Sequence, residues 1–456
     1  MAQEDRMKNT LSKIEKLTLQ HDMLTPEIVK EKDVKIGLRN ADGSGVIVGM
    51  TTKGRVVGYR KSRKEKGKEG GGVVPVEGKL YYCGYDVIKM VRQLEQEKRF
   101  GFEETAYLLL TGELPGKKDL MSFTEELSRR RALSKAERRI IMEEVQNDNQ
   151  MYALHSAVSH MSRFDANPDS IDIKDVSRQC INLISKFPTL VATNYNVARF
   201  SKGADLTILR PRPELSTAEN FLYLIKGYKP DEYEARLFDI SLVLHAEHGG
   251  GNNSTFSVRT VSSSGANTYM AIAAGLASLS GHLHGGANEH VMLMMKDLKK
   301  HVRDWESEKQ VRAYIQKVFE KKANDRTGKI YGFGHAVYTL SDPRAVILKE
   351  HAEKFAAMKG ATDEFKLYDL VQNIASELLS ERKGSKINAN VDFYSGFINK
   401  LMGIPRDLFT PIFAMARVVG WSAHRLEQII QGKIMRPAYL SSSTEEKDYL
   451  GIMDRR

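Results

Sequence analysis

Leu215-Ser-Thr-Ala-Glu-Asn-Phe-Leu-Tyr-Leu-Ile-Lys-Gly-Tyr-Lys-Pro230 reads as one complete helix. A Ser/Thr pair supplies oxygen to the unpaired N–H groups of the first turn, an apolar run follows, and Gly227 then Pro230 stop it. Working outward, Phe102-Glu-Glu-Thr-Ala-Tyr-Leu-Leu-Leu-Thr-Gly-Glu-Leu-Pro115 repeats that grammar, with a buried helix ended by Gly112 and Pro115. Val311, Tyr314, Ile315, Val318 and Phe319 keep helical spacing, as do Tyr368, Val371, Ile374, Ala375 and Leu378. Residues 1–30 mix charge with scattered apolar positions and predict a helical, exposed lead-in. The strongest strand signal is Gly45-Val-Ile-Val-Gly-Met-Thr-Thr-Lys-Gly-Arg-Val-Val-Gly-Tyr59, whose β-branched runs flank a glycine turn and predict a hairpin. Lys79-Leu-Tyr-Tyr-Cys-Gly-Tyr85 is also strand-like. The fold class expected is all-α, with a minor N-terminal β-hairpin.

Composition narrows the classes. The 456 residues are 41% hydrophobic and 28% charged, ordinary for a soluble globular chain and against wholesale disorder. No apolar run of about 18 residues occurs, which argues against a membrane span. The opening Met1-Ala-Gln-Glu-Asp has neither an apolar signal region nor a transit pattern, so a cytoplasmic protein is expected. Two cysteines, Cys83 and Cys180, supply neither a disulfide framework nor a cysteine-based metal site. The net charge is +11, and much of the excess sits in Lys61-Ser-Arg-Lys-Glu-Lys-Gly-Lys-Glu-Gly-Gly-Gly72. That run has no interleaved aromatics, so it reads as a solvated loop rather than a nucleic-acid footprint. The remaining excess suits substrates carrying carboxylates or phosphates.

Chemistry concentrates in glycine-marked strings. Five of twelve histidines fall in 245–290: His245-Ala-Glu-His-Gly-Gly-Gly-Asn-Asn-Ser254 and Gly281-His-Leu-His-Gly-Gly-Ala-Asn-Glu-His290. Then come Tyr331-Gly-Phe-Gly-His-Ala-Val-Tyr-Thr-Leu-Ser-Asp-Pro-Arg344, Asn390-Val-Asp-Phe-Tyr-Ser-Gly396, Ala416-Arg-Val-Val-Gly-Trp-Ser-Ala-His424 and Lys433-Ile-Met-Arg-Pro437. Each has a bland reading. His245 and His248 could share one helical face as core residues or as metal ligands, but His-Glu-x-x-His is absent. The glycines of 285–286 could simply supply positive φ for a turn. Gly-Phe-Gly-His is a poor phosphate fingerprint, because no strand precedes it. Asp392 could be a helix N-cap, and Arg344, Arg417 and Arg436 could be surface charges. Taken together, imidazoles on two glycine turns and a carboxylate on a third suggest acid–base chemistry. The downstream arginines suggest a polyanionic substrate, because guanidinium forks match carboxylates.

In these strings, in this order from about Leu80 to Arg436, the sequence resembles the citrate synthase family. The resemblance implies an almost all-helical two-domain fold and a homodimer. Residues 1–288 and 403–456 would form a large domain, and residues 289–402 a small, mobile one that binds CoA and carries Asp392. It implies condensation of acetyl-CoA with oxaloacetate and water to citrate and CoA, with no metal, no cofactor, and no nucleic-acid or membrane partner. His284 then corresponds to the thioester-oxygen donor, Asp392 to the base, and His335 to the ketone acid. His248, Arg344 and Arg417 correspond to oxaloacetate ligands. Arg436 corresponds to the arginine donated across the dimer, and Tyr331, Gly332, Phe333 and Gly334 to the CoA turn. Two departures stand out: His282 where many members have proline, and Ala336 where many bacterial members have arginine. Three alternatives remain at this point: a 2-methylcitrate synthase using propionyl-CoA, a metal-dependent hydrolase, and a non-catalytic regulatory relative binding RNA through residues 60–72.

Overall fold

The computed structural model describes residues 2–20, 25–40, 42–61, 73–144, 149–441 and 446–455. Eighteen α-helices and one three-stranded sheet occur among them, as expected of an all-α chain with a small hairpin. The basic, glycine-rich loop expected at 60–72 falls almost wholly outside the described residues.

The chain divides into two units. One comprises 1–48 and 435–456 and contains the helices Ala2–Gln20 and Pro26–Glu31. Leu11 and Ile14 on the first helix, and Tyr439 and Tyr449 near the C-terminus, are exposed. The second unit, 49–434, holds the core and every other helix named below.

Within that second unit, Phe409–Gln431 is buried on nearly all faces, from Phe409 through Leu426. A helix apolar all round belongs at the centre of a bundle. It packs against Ile173–Ser201, Asn253–Ser263, Phe102–Thr111, Thr268–Leu279 and Glu232–His245. Close approach needs small residues: a Cβ on Gly275 would meet Val258 and the Trp421 ring. Another group of helices is built from Ala287–His301, Glu308–Phe319, Pro343–Met358, Thr362–Lys383 and Val391–Leu401, and the last of these packs on both the first and the third. The local grammar behaves as read. Ser216 and Glu219 form a reciprocal capping box, and Gly227 closes that helix in the left-handed region. Gly112 ends Phe102–Thr111 in the same way.

The hairpin departs from expectation. β1 (Gly54–Lys61) pairs antiparallel with β2 (Val73–Tyr82), not with residues 45–50, and β3 (Tyr85–Asp86) adds a short third strand. Ile47 and Met50 are more than 80% exposed, so their β-branched and apolar character has no face to pack on. β2 supplies one, because Leu80 and Tyr82 are buried. The Tyr82 hydroxyl donates to the Val243 carbonyl at 2.9 Å. The register shifts between Val57 and Tyr59, which puts an irregularity at Gly58.

Candidate active site

The Glu232–His245 helix stops at His245, whose Nδ1 lies 2.7 Å from the Ser241 carbonyl. The expectation that His245 and His248 share a helical face is therefore corrected: the chain has left the helix before His248. Glu247 is fully buried and accounts for the tight bend. Its carboxylate receives Gly249 N–H and the His424 ring (Nε2 to Oε1, 2.9 Å), with no room for a Cβ on either Gly54 or Gly420. His248 is thereby held in the interior with Nε2 unpartnered, its ring edge-on to His335 at 4.9 Å and to Tyr338 at 5.5 Å. Burial, and then Arg344, push its pKa well below the usual histidine range, so the ring is neutral.

Arg417 sits in the middle of the buried 409–431 helix. Its Nε donates to the His245 carbonyl at 2.7 Å and Nη1 to Asn252 Oδ1 at 3.2 Å, while Nη2 has no partner. Burial pulls its pKa down to about 10. A buried guanidinium with a spare N–H is costly unless an anion meets it. Arg344 contrasts with it: Nε and Nη2 grip Asp342 at 3.0 and 2.8 Å. Asp342 also caps its own helix through Arg344 N–H and receives Val391 N–H at 3.2 Å, which fixes the start of the helix that bears Asp392.

His335 has its tautomer set by its own loop. Nδ1 accepts Val337 N–H at 3.0 Å and Tyr338 N–H at 3.1 Å, which leaves the ring proton on Nε2. The ring stacks on Tyr338 at 4.6 Å. His284 has the opposite tautomer. Its Nε2 accepts Ser254 N–H at 3.3 Å and lies 2.9 Å from Ser254 Oγ, which places the neutral ring's proton on Nδ1. Burial, then the Arg417 charge, lower its pKa to about 4. Ser254 is itself fixed by Trp421 Nε1–H at 3.2 Å and by its bond to Asn252. The glycines beside His284 are not in the positive-φ region, contrary to expectation. At Gly285 the need is steric instead, because a Cβ there would run into the Leu279 carbonyl.

Asp392 is not the N-cap. Asn390 is, and its Oδ1 accepts Asp392 N–H at 3.0 Å. The Asp392 carboxylate has no hydrogen-bond donor among the described residues. Burial raises its pKa to about 6 against the attraction of Arg344 and Arg417, with Asp342 adding repulsion. Arg417 therefore lies within electrostatic reach of His248, His284 and Asp392, and Arg344 within reach of His248 and Asp392. One cluster contains six of the expected residues: His248, His284, His335, Arg344, Asp392 and Arg417. The turn at 331–334 is tied to the segment just before the Asp392 helix: Gly334 N–H donates to Asn388 O at 3.1 Å, Asn390 N–H to Gly332 O at 2.9 Å, and Phe333 makes an isolated bridge with Ala389. Gly332 has φ +82 and no room for a side chain beside Val291 and Phe393. Arg436 is exposed and lies in the other unit. His282 and Ala336 are exposed. Among the described residues no cluster of three His, Cys, Asp or Glu could hold a metal ion, and no helix is long and apolar enough to cross a membrane.

Sequence reasoning missed Asp342, Tyr338, Asn252, Ser254 and the Glu247–His424 pair. Asp342 had a readable signal: Asp-Pro-Arg puts a cap, an N1 proline and a guanidinium in consecutive positions. Asn252, Ser254 and the Glu247–His424 pair each also engage a partner remote in sequence.

Comparison with known proteins gives a consistent picture. The family model described as "Citrate synthase, C-terminal domain" matches residues 65–438. The chain is 38% identical over 385 residues to a citrate synthase of Haloferax volcanii, covering 83% of this chain and 93% of that one. It is 33% identical over 390 residues to 2-methylcitrate synthase 1 of Corynebacterium glutamicum, covering 84% and 94%. The crystal structure of citrate synthase from Pyrobaculum aerophilum superposes with a TM-score of 0.73 at 31% identity, covering 90% of this chain and 94% of that one.

Proposed function

We infer, from the premise that this chain belongs to the citrate synthase family, that it is the acyltransferase joining acetyl-CoA to oxaloacetate, the entry reaction of the tricarboxylic acid cycle. One observation supports the assignment of roles: Arg417, whose buried Nη2 has no partner, lies within electrostatic reach of a carboxylate poised near pKa 6, and His248, which the same Arg417 charge reaches, has its buried Nε2 unpartnered. Such a cluster favours an anion and offers a base.

The roles that the family resemblance implies are compatible with this geometry. Arg417, Arg344 and His248 hold the oxaloacetate dianion in one orientation, which converts encounter into proximity. Ionised Asp392 takes a proton from the thioester methyl, a very weak acid. His284 donates from Nδ1 to the thioester oxygen as negative charge develops there, acting as a preplaced donor. The methyl carbon then bonds to the ketone carbon, and the ketone oxygen takes the Nε2 proton of His335. Water cleaves the resulting thioester to citrate and CoA. The turn Tyr331–Gly334 meets the CoA adenine.

We further propose that residues 289–402 form a small domain closing on a large one of 1–288 and 403–456, excluding water until condensation is complete. The working form is a homodimer in which Arg436 reaches the oxaloacetate of a second copy. The location is the cytoplasm, a reducing compartment that suits the free thiols Cys83 and Cys180. No metal or cofactor is assigned a step.

The 33% identity to a 2-methylcitrate synthase favours one second reading, with propionyl-CoA as donor. One methylene is worth only roughly 1–3 kcal/mol in a pocket, so turnover must decide. Free-thiol release is measured with acetyl-CoA and propionyl-CoA, with and without oxaloacetate. Oxaloacetate-dependent release with a higher kcat/KM for acetyl-CoA is expected. A higher value for propionyl-CoA would transfer the assignment to 2-methylcitrate, and release independent of oxaloacetate would refute condensation.

A further inference from the structure

The loop that sets the His335 tautomer does not hold itself in place. Its inner side carries Val337 N–H and Tyr338 N–H, the two donors to His335 Nδ1. Its outer side rests on the hairpin. Thr339 Oγ1 donates to the Gly58 carbonyl at 2.9 Å, Gly78 N–H donates to Ser341 Oγ at 3.2 Å, and Ser341 Oγ–H donates to Glu77. Both hairpin glycines are buried, and both are in contact with the loop's backbone. A Cβ on Gly58 would sit closer than 3.0 Å to the Val337 carbonyl and Tyr338 Cα. A Cβ on Gly78 would collide with the Ser341 carbonyl and the Tyr338 ring. Neither glycine has positive φ, so space and not backbone conformation excludes a side chain. Gly58 also stands at the register shift of β1, where the strand bends.

We propose that the hairpin formed by β1 and β2 is a backbone seat for His335, with Gly58, Gly78, Thr339 and Ser341 as positioning residues that keep Val337 N–H and Tyr338 N–H on Nδ1 and the acid proton on Nε2. The proposal rests on the assignment of His335 as ketone acid. It makes a claim that packing alone does not: loosening the seat damages the step that needs His335 and spares the step that needs His284 and Asp392.

The test compares Gly58→Ala, Gly78→Ala, Thr339→Val and Ser341→Ala with wild type, using Gly49→Ala, where a Cβ meets nothing within 4 Å, as a control. Two rates are read. One is condensation, by thiol release with oxaloacetate. The other is solvent-deuterium exchange into the acetyl-CoA methyl, with a four-carbon dicarboxylate lacking the ketone. Gly58→Ala is expected to lower condensation kcat about 100-fold, the loss that a misplacement of about 1 Å produces. Thr339→Val, which keeps the side-chain shape, is expected to lower it roughly fivefold, the worth of about one hydrogen bond. Exchange and the melting temperature of Thr339→Val stay near wild type, and so does Gly49→Ala throughout. Condensation unchanged in all four variants would overturn the proposal. So would exchange and condensation falling together in Thr339→Val, because that marks a merely structural contact. If wild type itself releases no thiol with oxaloacetate, the assigned reaction fails before any variant is compared.

Discussion

Two buried guanidiniums, Arg344 and Arg417, stand in one site and differ in how much of their bonding is engaged. Arg344 is gripped by Asp342 through two parallel bonds, with the same carboxylate also tied to Val391 N–H. Arg417 bonds a carbonyl and an amide oxygen, and among the described residues it meets no carboxylate and leaves Nη2 without a partner. The carboxylates differ in parallel. Asp342 is held below the ordinary aspartate range: the Arg344 charge and hydrogen bonds outweigh the opposing effect of burial. The Asp392 carboxylate receives no hydrogen bond from the described residues and is raised to about 6. The first pair is charge-compensated and anchors Arg344 in the site's frame. The second corner is unsaturated, which is what a ligand-binding and proton-accepting corner requires.

This contrast orders the expected effects of mutation. Asp392→Asn keeps size and removes only proton acceptance, so kcat should fall about 1000-fold while oxaloacetate binding persists. A wild-type rate would remove Asp392 from the base role. Arg417→Lys keeps the charge but loses the fork, and kcat/KM for oxaloacetate should drop roughly 100-fold. Asp342→Asn touches only the frame. It should raise the oxaloacetate KM about tenfold as Arg344 loses its charged grip. If Asp342→Asn proved worse than Arg417→Lys, the division into frame and binding corner would be inverted. The smallest effect is on stability. A raised carboxylate pKa means that the folded chain binds its proton more tightly than the unfolded chain, so Asp392 costs stability progressively as pH rises from about 4 to about 6. Ligand-free Asp392→Asn should therefore be about 1 kcal/mol more stable than wild type at pH 7, allowing for partial solvent access, with the gap closing near pH 4. Denaturant melts at the two pH values check this.

The same contrast explains what could be read from sequence. Helices were legible where local chemistry decides, as with the Ser216–Glu219 box and Gly227, because their partners lie within one turn. The hairpin's partner strand was misjudged because β-branching at residues 46–48 signals fit to a surface without saying whether one exists, and Ile47 is 85% exposed. The residues that the fold gathers into one cluster were legible because few residue types do acid–base work and each stood in a glycine-marked string. Groups that hold them were not: Ser254 supports His284 from 30 residues away, and His424 anchors Glu247 from 177. Such pairs follow from tertiary packing, which leaves no periodic trace in the chain.

The central claim is that an unbonded, elevated Asp392 removes the methyl proton beside a neutral His284. The rate of deuterium exchange into the acetyl-CoA methyl, measured from pH 4.5 to 8 in wild type and Asp392→Asn with the ketone-free dicarboxylate bound, tests it most directly. The account predicts a wild-type rate that rises with a midpoint near pH 6 to a plateau, and a variant rate that is flat and near background. Exchange in Asp392→Asn that follows the wild-type curve would contradict it.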